Sequence, residues 1–146
     1  MANNNAPKVK ARISNLRTMQ DLSPKDFADL GGLADQLADY DEKELRATQL
    51  RKIFHALKDI ERKVKQDLRG EKKKATDPFE SSELLLLMPD LAYAKGRRLI
   101  PDDFYDVLQL VLRKKVETYA DFERAMQFIE AVMAYHKFHN PSGSRG

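Results

Sequence analysis

The chain has 146 residues, 42% hydrophobic and 34% charged, with a net charge of +3, enough for one soluble domain around one core. Its mean hydropathy of −0.62 is polar, and its longest apolar run, 84–88, falls far short of the roughly 20 residues a membrane-spanning helix needs. The absence of cysteine excludes disulfides, thiolate nucleophiles and sulfur-ligated zinc and fits a cytoplasmic location.

The charge is unevenly distributed. Residues 1–20 carry four Lys/Arg and no acid, and residues 21–44 carry a net −6. Residues 45–74 carry +7, and 75–146 carry −2. Segregation of this kind suits an anionic partner, subunits that dock opposite charges, or both.

Residues 1–20 lack an apolar h-region, so no signal peptide is expected. They read as a flexible basic arm, Asn-rich at its start, although Val9, Ile13, Leu16 and Met19 allow a short apolar stripe. Ser23-Pro24 reads as a helix start, a capping serine before a proline in the first position. Phe27, Leu30, Leu33, Leu37 and Tyr40 continue it at helical spacing across Gly31-Gly32. Asp41 with Glu44 resembles a capping box opening a long helix to about Leu68, which Gly70 ends. Its apolar positions are Leu45, Leu50, Ile53, Phe54, Leu57, Ile60, Val64 and Leu68.

Residues 71–77 read as a charged loop. Ser81 or Ser82 starts the next helix, whose run 84–88 is apolar on every side and so is expected to be buried. Pro89 is expected to kink or restart it, and Gly96 to cap it. Pro101 with Asp102 and Asp103 starts a helix with Phe104, Val107, Leu108, Val111 and Leu112 on one face. Thr118 to Asp121 is a further capping signature before a helix built on Tyr119, Phe122, Met126, Ile129, Val132 and Phe138. No strand pattern occurs. The expectation is an all-α, single-domain bundle of about five helices with a kinked central helix. The bundle spans 21–139, between the arm at 1–20 and a flexible tail at 140–146.

Two basic groups stand out. On the long helix Arg51, His55, Lys58, Arg62, Lys65 and Arg69 are spaced by four and three residues, so at 100° per residue they form one stripe beside the apolar face. Phosphates would be its natural ligands. A solvated helix face is the other reading, with Glu61 and Asp67 offsetting the field through pairs with lysines such as Lys65. Lys95, Arg97 and Arg98 close the 84–98 stretch, where arginines also suit an ordinary helix end. Catalysis has little support. His136 and His139 are spaced to share a metal but lack a third ligand, and no hydrolase, zinc-protease or phosphate-loop motif occurs. No cofactor and no metal are expected.

Leu87-Met-Pro-Asp-Leu-Ala-Tyr-Ala-Lys-Gly-Arg97 resembles the signature of the small subunit of the Csm complex, the type III-A CRISPR–Cas effector. Thr48-Gln-Leu-Arg-Lys-Ile-Phe54 and Phe128-Ile-Glu-Ala-Val-Met-Ala-Tyr-His-Lys137 resemble two further family segments, so the likeness spans roughly 46–138. It implies a compact, non-catalytic helical subunit in antiviral and anti-plasmid defence. Copies would line a filament and help hold CRISPR RNA and target RNA, while other Csm subunits carry out cleavage. By position it implies RNA backbone contacts from Arg51, Lys52, Lys95 and Arg97, with Arg98 beside them and Lys137 in the third segment. Arg62, Lys65 and Arg69 rest on the stripe alone. The competing reading is a helical interaction or dimerisation adaptor whose basic face binds an acidic partner.

Overall fold

The structure is a computed structural model that describes residues 3–70 and 73–141. Residues 71–72 of the charged loop and 142–146 of the expected tail lie outside the described residues. Seven α-helices are present among those described, five of them with seven or more residues. No strand occurs there, only an isolated bridge between Pro78 and Thr118. The all-α expectation holds.

The N-terminal stretch differs from its sequence reading. Helix α1 (Ala6–Ser14) buries Ala6, Val9 and Ile13 against helices that follow it in the chain. The apolar stripe outweighs the basic residues, which sit on the outer side. Asn3 fastens the start of the segment, donating from Nδ2 to the carbonyls of Gln36 (2.9 Å) and Leu37 (3.2 Å). Lys115 fastens its end by donating to the carbonyls of Ser14 (3.0 Å) and Leu16 (2.7 Å). These are groups that a helix end leaves without partners of its own. A 3-10 turn, Met19–Asp21, follows.

The helix expected over 23–40 is two short ones, α2 (Pro24–Phe27) and α3 (Leu33–Leu37). The glycine pair explains the break. Gly31 has φ +82°, open to glycine at little cost. A Cβ on Gly32 would lie 2.9 Å from the carbonyl oxygens of Asp26 and Asp29.

The Asp41–Glu44 capping box forms, with Asp41 Oδ1 accepting from Glu44 N–H at 2.9 Å and Glu44 Oε1 accepting from Asp41 N–H at 3.3 Å. It closes a turn rather than opening the long helix. That helix, α4 (Ala47–Gly70), starts a turn later, where Glu42 accepts from Ala47 N–H at 3.2 Å and places a carboxylate at the positive helix end. At 24 residues, α4 is about 36 Å long.

Helix α5 (Ser82–Gly96) is capped by Ser81, whose Oγ accepts from Leu84 N–H at 3.1 Å. It does not restart at Pro89. Helix α6 (Asp102–Gln109) passes into a π-helical turn, Leu110–Lys114, closed by Lys115 N–H on Leu110 O at 2.9 Å. Helix α7 (Tyr119–His139) opens with the capping box of Thr118 and Asp121. It packs on α3 and α4, while α1 packs on α6 and α3. Phe27 meets Phe128 edge-on at 5.8 Å, and Phe79, from the loop after α4, stacks on Phe122 at 4.7 Å.

Asp121 joins the two ends of the chain. It is only 1% exposed. Its carboxylate accepts from the N–H groups of Gln20 (2.9 Å), Glu117 (3.0 Å) and Thr118 (3.0 Å), and from the Thr118 hydroxyl (3.2 Å). Burial alone would raise its pKa. Bonds from Gln20, Glu117, Thr18 and Thr118 outweigh burial and hold the carboxyl below the usual carboxylate range. Because the folded-state pKa is depressed, the contribution is complete above about pH 4 and is lost as pH falls through the lower folded value. Asp121→Asn keeps the shape but removes the charge, and is expected to cost about 2–3 kcal/mol. Urea unfolding at pH 7 measures this loss, and the difference between variant and parent should shrink in strong acid.

Candidate nucleic-acid interface

Helix α4 sets the geometry. Leu50, Ile53, Phe54, Leu57, Ile60 and Val64 are buried, and residues one or two positions away along the chain emerge on its flanks. Arg51, Arg62, Lys65 and Arg69 lie on one flank, the stripe expected from spacing. Arg62 Nη2 is 2.8 Å from Asp59 Oδ1, with both side chains well exposed. Lys58 donates to Glu61 Oε1 at 2.8 Å, a bond that raises the lysine pKa. Glu61 thus pairs with Lys58 rather than the expected Lys65. Surface pairs of this kind are worth well under 1 kcal/mol, so they leave the stripe cationic.

Lys52 does not share that flank. One residue from Arg51, it is rotated by about 100°. Eleven residues, just over three full turns, bring Lys63 to the same side, and Lys63 Nζ bridges to Glu83 Oε1 of α5 at 3.1 Å. The basic pair Arg51-Lys52 therefore serves two surfaces.

On the Arg51 flank, α4 and α7 enclose a cavity of about 330 Å³. Ala47, Leu50, Met133 and Ala134 form apolar walls, with Arg51 and Lys137 also lining it. Two cations that are far apart in sequence thus meet at one place. Lys137 also donates to Pro141 O at 2.7 Å. His136 completes the lining. Burial holds its imidazole below the usual histidine range, opposed by a hydrogen bond to the Leu45 backbone and by Glu42, and reinforced by His139.

The pairing of His136 with His139 as metal ligands finds no support in the geometry. His139 Nε2 instead lies 2.6 Å from Asp35 Oδ1. No group of three His, Cys, Asp or Glu able to hold a metal ion occurs among the described residues.

The end of α5 is a separate basic group. The 84–88 run is not buried all round: Leu84 and Leu87 face the core, while Leu85 is 53% and Leu86 73% exposed. Tyr93, 62% exposed, accepts a hydrogen bond on its hydroxyl from Arg97 Nη1 at 2.7 Å, and the guanidinium sits 5.6 Å from the ring centre. Lys95 Nζ lies 4.9 Å over the ring of Tyr105. Gly96 is not the cap. The helix runs through it, and Arg98 takes the left-handed conformation at φ 59°. Arg98 N–H bonds Lys95 O at 3.0 Å and Leu99 N–H bonds Ala94 O at 2.8 Å, the paired closure in which glycine is usual. Sequence reasoning missed His136 as part of a cavity and Tyr93 as the support of Arg97. The Tyr93–Arg97 spacing of four residues was a visible signal for the second.

The fold and this surface define a small all-α protein with cations along one flank of its longest helix and at the end of the next. A family model described as Csm2 Type III-A matches residues 24–142, and the chain belongs to that family, the small subunit of the type III-A CRISPR effector, the Csm complex. Membership implies association with other subunits of that complex. The match reaches further toward the N-terminus than the three motifs do, and α1 lies before it. No curated protein and no solved structure gives a significant match. No helix among the described residues is long and apolar enough to cross a membrane.

A non-glycine residue in the left-handed region costs about 1 kcal/mol. Arg98→Gly is therefore expected to raise stability by up to about 1 kcal/mol, read as a higher thermal midpoint, while removing one cation from the end of α5.

Proposed function

We propose that this chain lines the Csm effector and helps hold CRISPR RNA and target RNA through sequence-independent backbone contacts, with no catalysis of its own. The observation that carries the reading is the cationic flank of α4, which runs for five turns and meets Lys137 of α7, in a chain of the Csm2 family. A guide-bearing complex must accept any guide sequence, so its subunits need contacts that ignore base identity. Arginine and lysine on phosphate meet that need. The proposed contacts are Arg51, Arg62, Lys65, Arg69 and Lys137 on one surface, Lys52 on the other flank of α4, and Lys95, Arg97 and Arg98 at the end of α5.

Copies of the chain repeated along RNA need little affinity each, because neighbours raise the effective concentration. The acidic segment 21–44 is the face proposed to meet the basic face of the next copy. The exposed Leu85, Leu86 and Tyr93 on α5 favour an additional apolar protein contact, distinct from the acidic partner that the adaptor reading gives the basic face. Salt separates the two, since phosphate binding weakens steeply with salt and apolar docking does not.

Arg51→Glu with Arg97→Glu is expected to reduce RNA retention in the assembled complex and to flatten its salt dependence by about 0.7 in log–log slope per lost contact. Unchanged retention would reject the assignment. Self-association is tested at Asp39. Asp35 is unsuitable, because it accepts from Gly31 N–H at 2.8 Å and contacts His139, so its reversal would disturb the fold, and Asp29 likewise accepts from Leu30 N–H at 2.9 Å. Asp39→Lys should leave the circular dichroism of the free chain unchanged and lower the number of copies per complex, read by native mass spectrometry.

A further inference from the structure

The cavity between α4 and α7 has a feature that backbone contacts do not require. The His136 side chain is 1% exposed, and its Nε2 is buried with no hydrogen-bond partner among the described residues. Such an atom costs free energy unless something satisfies it. The other ring nitrogen is hydrogen-bonded to the backbone of Leu45 in the sense that favours a protonated ring, so it donates to the carbonyl. That bond assigns the ring proton to Nδ1 and leaves Nε2 as an acceptor.

The surroundings restrict the ligand. The walls are apolar, from Leu50, Met133 and Ala134, and two cations, Arg51 and Lys137, also line the space. A volume of about 330 Å³ lies at the small end of the range for ligand sites. A matching molecule has a flat, largely apolar body, an N–H donor on its edge and an anionic group attached. A nucleotide has all three.

We propose that this cavity accepts the base of a single unpaired RNA nucleotide, with its edge donating to His136 Nε2 and its phosphate held by Arg51 and Lys137. The inference rests on the RNA-binding reading and extends it from the backbone to a base. It keeps that reading's tolerance of sequence. Every RNA base presents at least one N–H donor on its pairing edge, so one acceptor against apolar walls admits all four. Extrusion of a base from a helix costs a few kcal/mol, so the cavity suits a nucleotide that is already unpaired.

The test uses the isotope-labelled full chain, with backbone amides followed by NMR during titration with adenosine monophosphate, ribose 5-phosphate and a short RNA. Adenosine monophosphate is expected to shift the amides of Ala47, Leu50, Met133 and His136 saturably, and ribose 5-phosphate to leave the wall residues unmoved. Ala134 is exposed on α7, so Ala134→Trp should fill the mouth without disturbing the core and weaken the nucleotide by about tenfold or more. His136→Phe, which keeps a ring but removes the acceptor, should do the same. Equal shifts from nucleotide and ribose 5-phosphate, or none from the nucleotide, overturn the inference. RNA that binds with strong salt dependence but does not move these amides overturns this site alone. RNA that does not bind at all overturns the RNA-binding reading together with it.

Discussion

A buried carboxylate holds the fold together. Asp121 begins α7, yet it also accepts the N–H of Gln20, about one hundred residues earlier in the chain. An unpaired charge in that position would cost several kcal/mol, so the N-terminal segment and the start of α7 are committed to one arrangement. Lys115 acts in the same place with the opposite sign, donating to the carbonyls at the end of α1, while Arg124 donates to the carbonyl of Leu22. Three charged side chains from the stretch around the α7 start thus take up backbone groups of residues 14–22. With that end fixed, α7 can pack along α4 and present Met133, His136 and Lys137 beside Arg51.

The cations separate through helical geometry. A rise of 1.5 Å and a turn of 100° per residue place neighbours such as Arg51 and Lys52 on different flanks. The apolar seam of α4 lies between those flanks and keeps them apart. Packing on α7 then brings Arg51 to a residue eighty-six positions later, while the other flank is engaged with α5 through Lys63 and Glu83. A helix with a single amphipathic period thereby supplies two surfaces of the same sign.

Much of this was legible in the sequence. Long periodic runs and caps gave α4, α6 and α7, and Thr118 with Asp121 formed the capping box their spacing implied. The Csm resemblance rested on three motifs in order, and the family match contains all of them. What failed had local causes. The helical spacing of 23–40 runs across Gly31-Gly32, whereas the positive φ of Gly31 and the lack of a Cβ on Gly32 end the helix there. The N-terminal stretch reads as a basic arm with a short apolar stripe, and that stripe, with Val9 and Ile13 four residues apart, is enough to bury one side. Gly96 looked like the natural cap, but the chain turns at Arg98. The cavity at His136 was not legible, since it depends on how α7 lies against α4, and no periodicity within either helix reports that.

Leu85 and Leu86 carry a consequence for the life of the protein outside its complex. Helix α5 has leucines on its core side and on its outer side, so one part of its apolar surface is covered by the chain itself and another is left in water. A free copy therefore bears an adhesive apolar strip, which makes it prone to clumping unless another surface covers it.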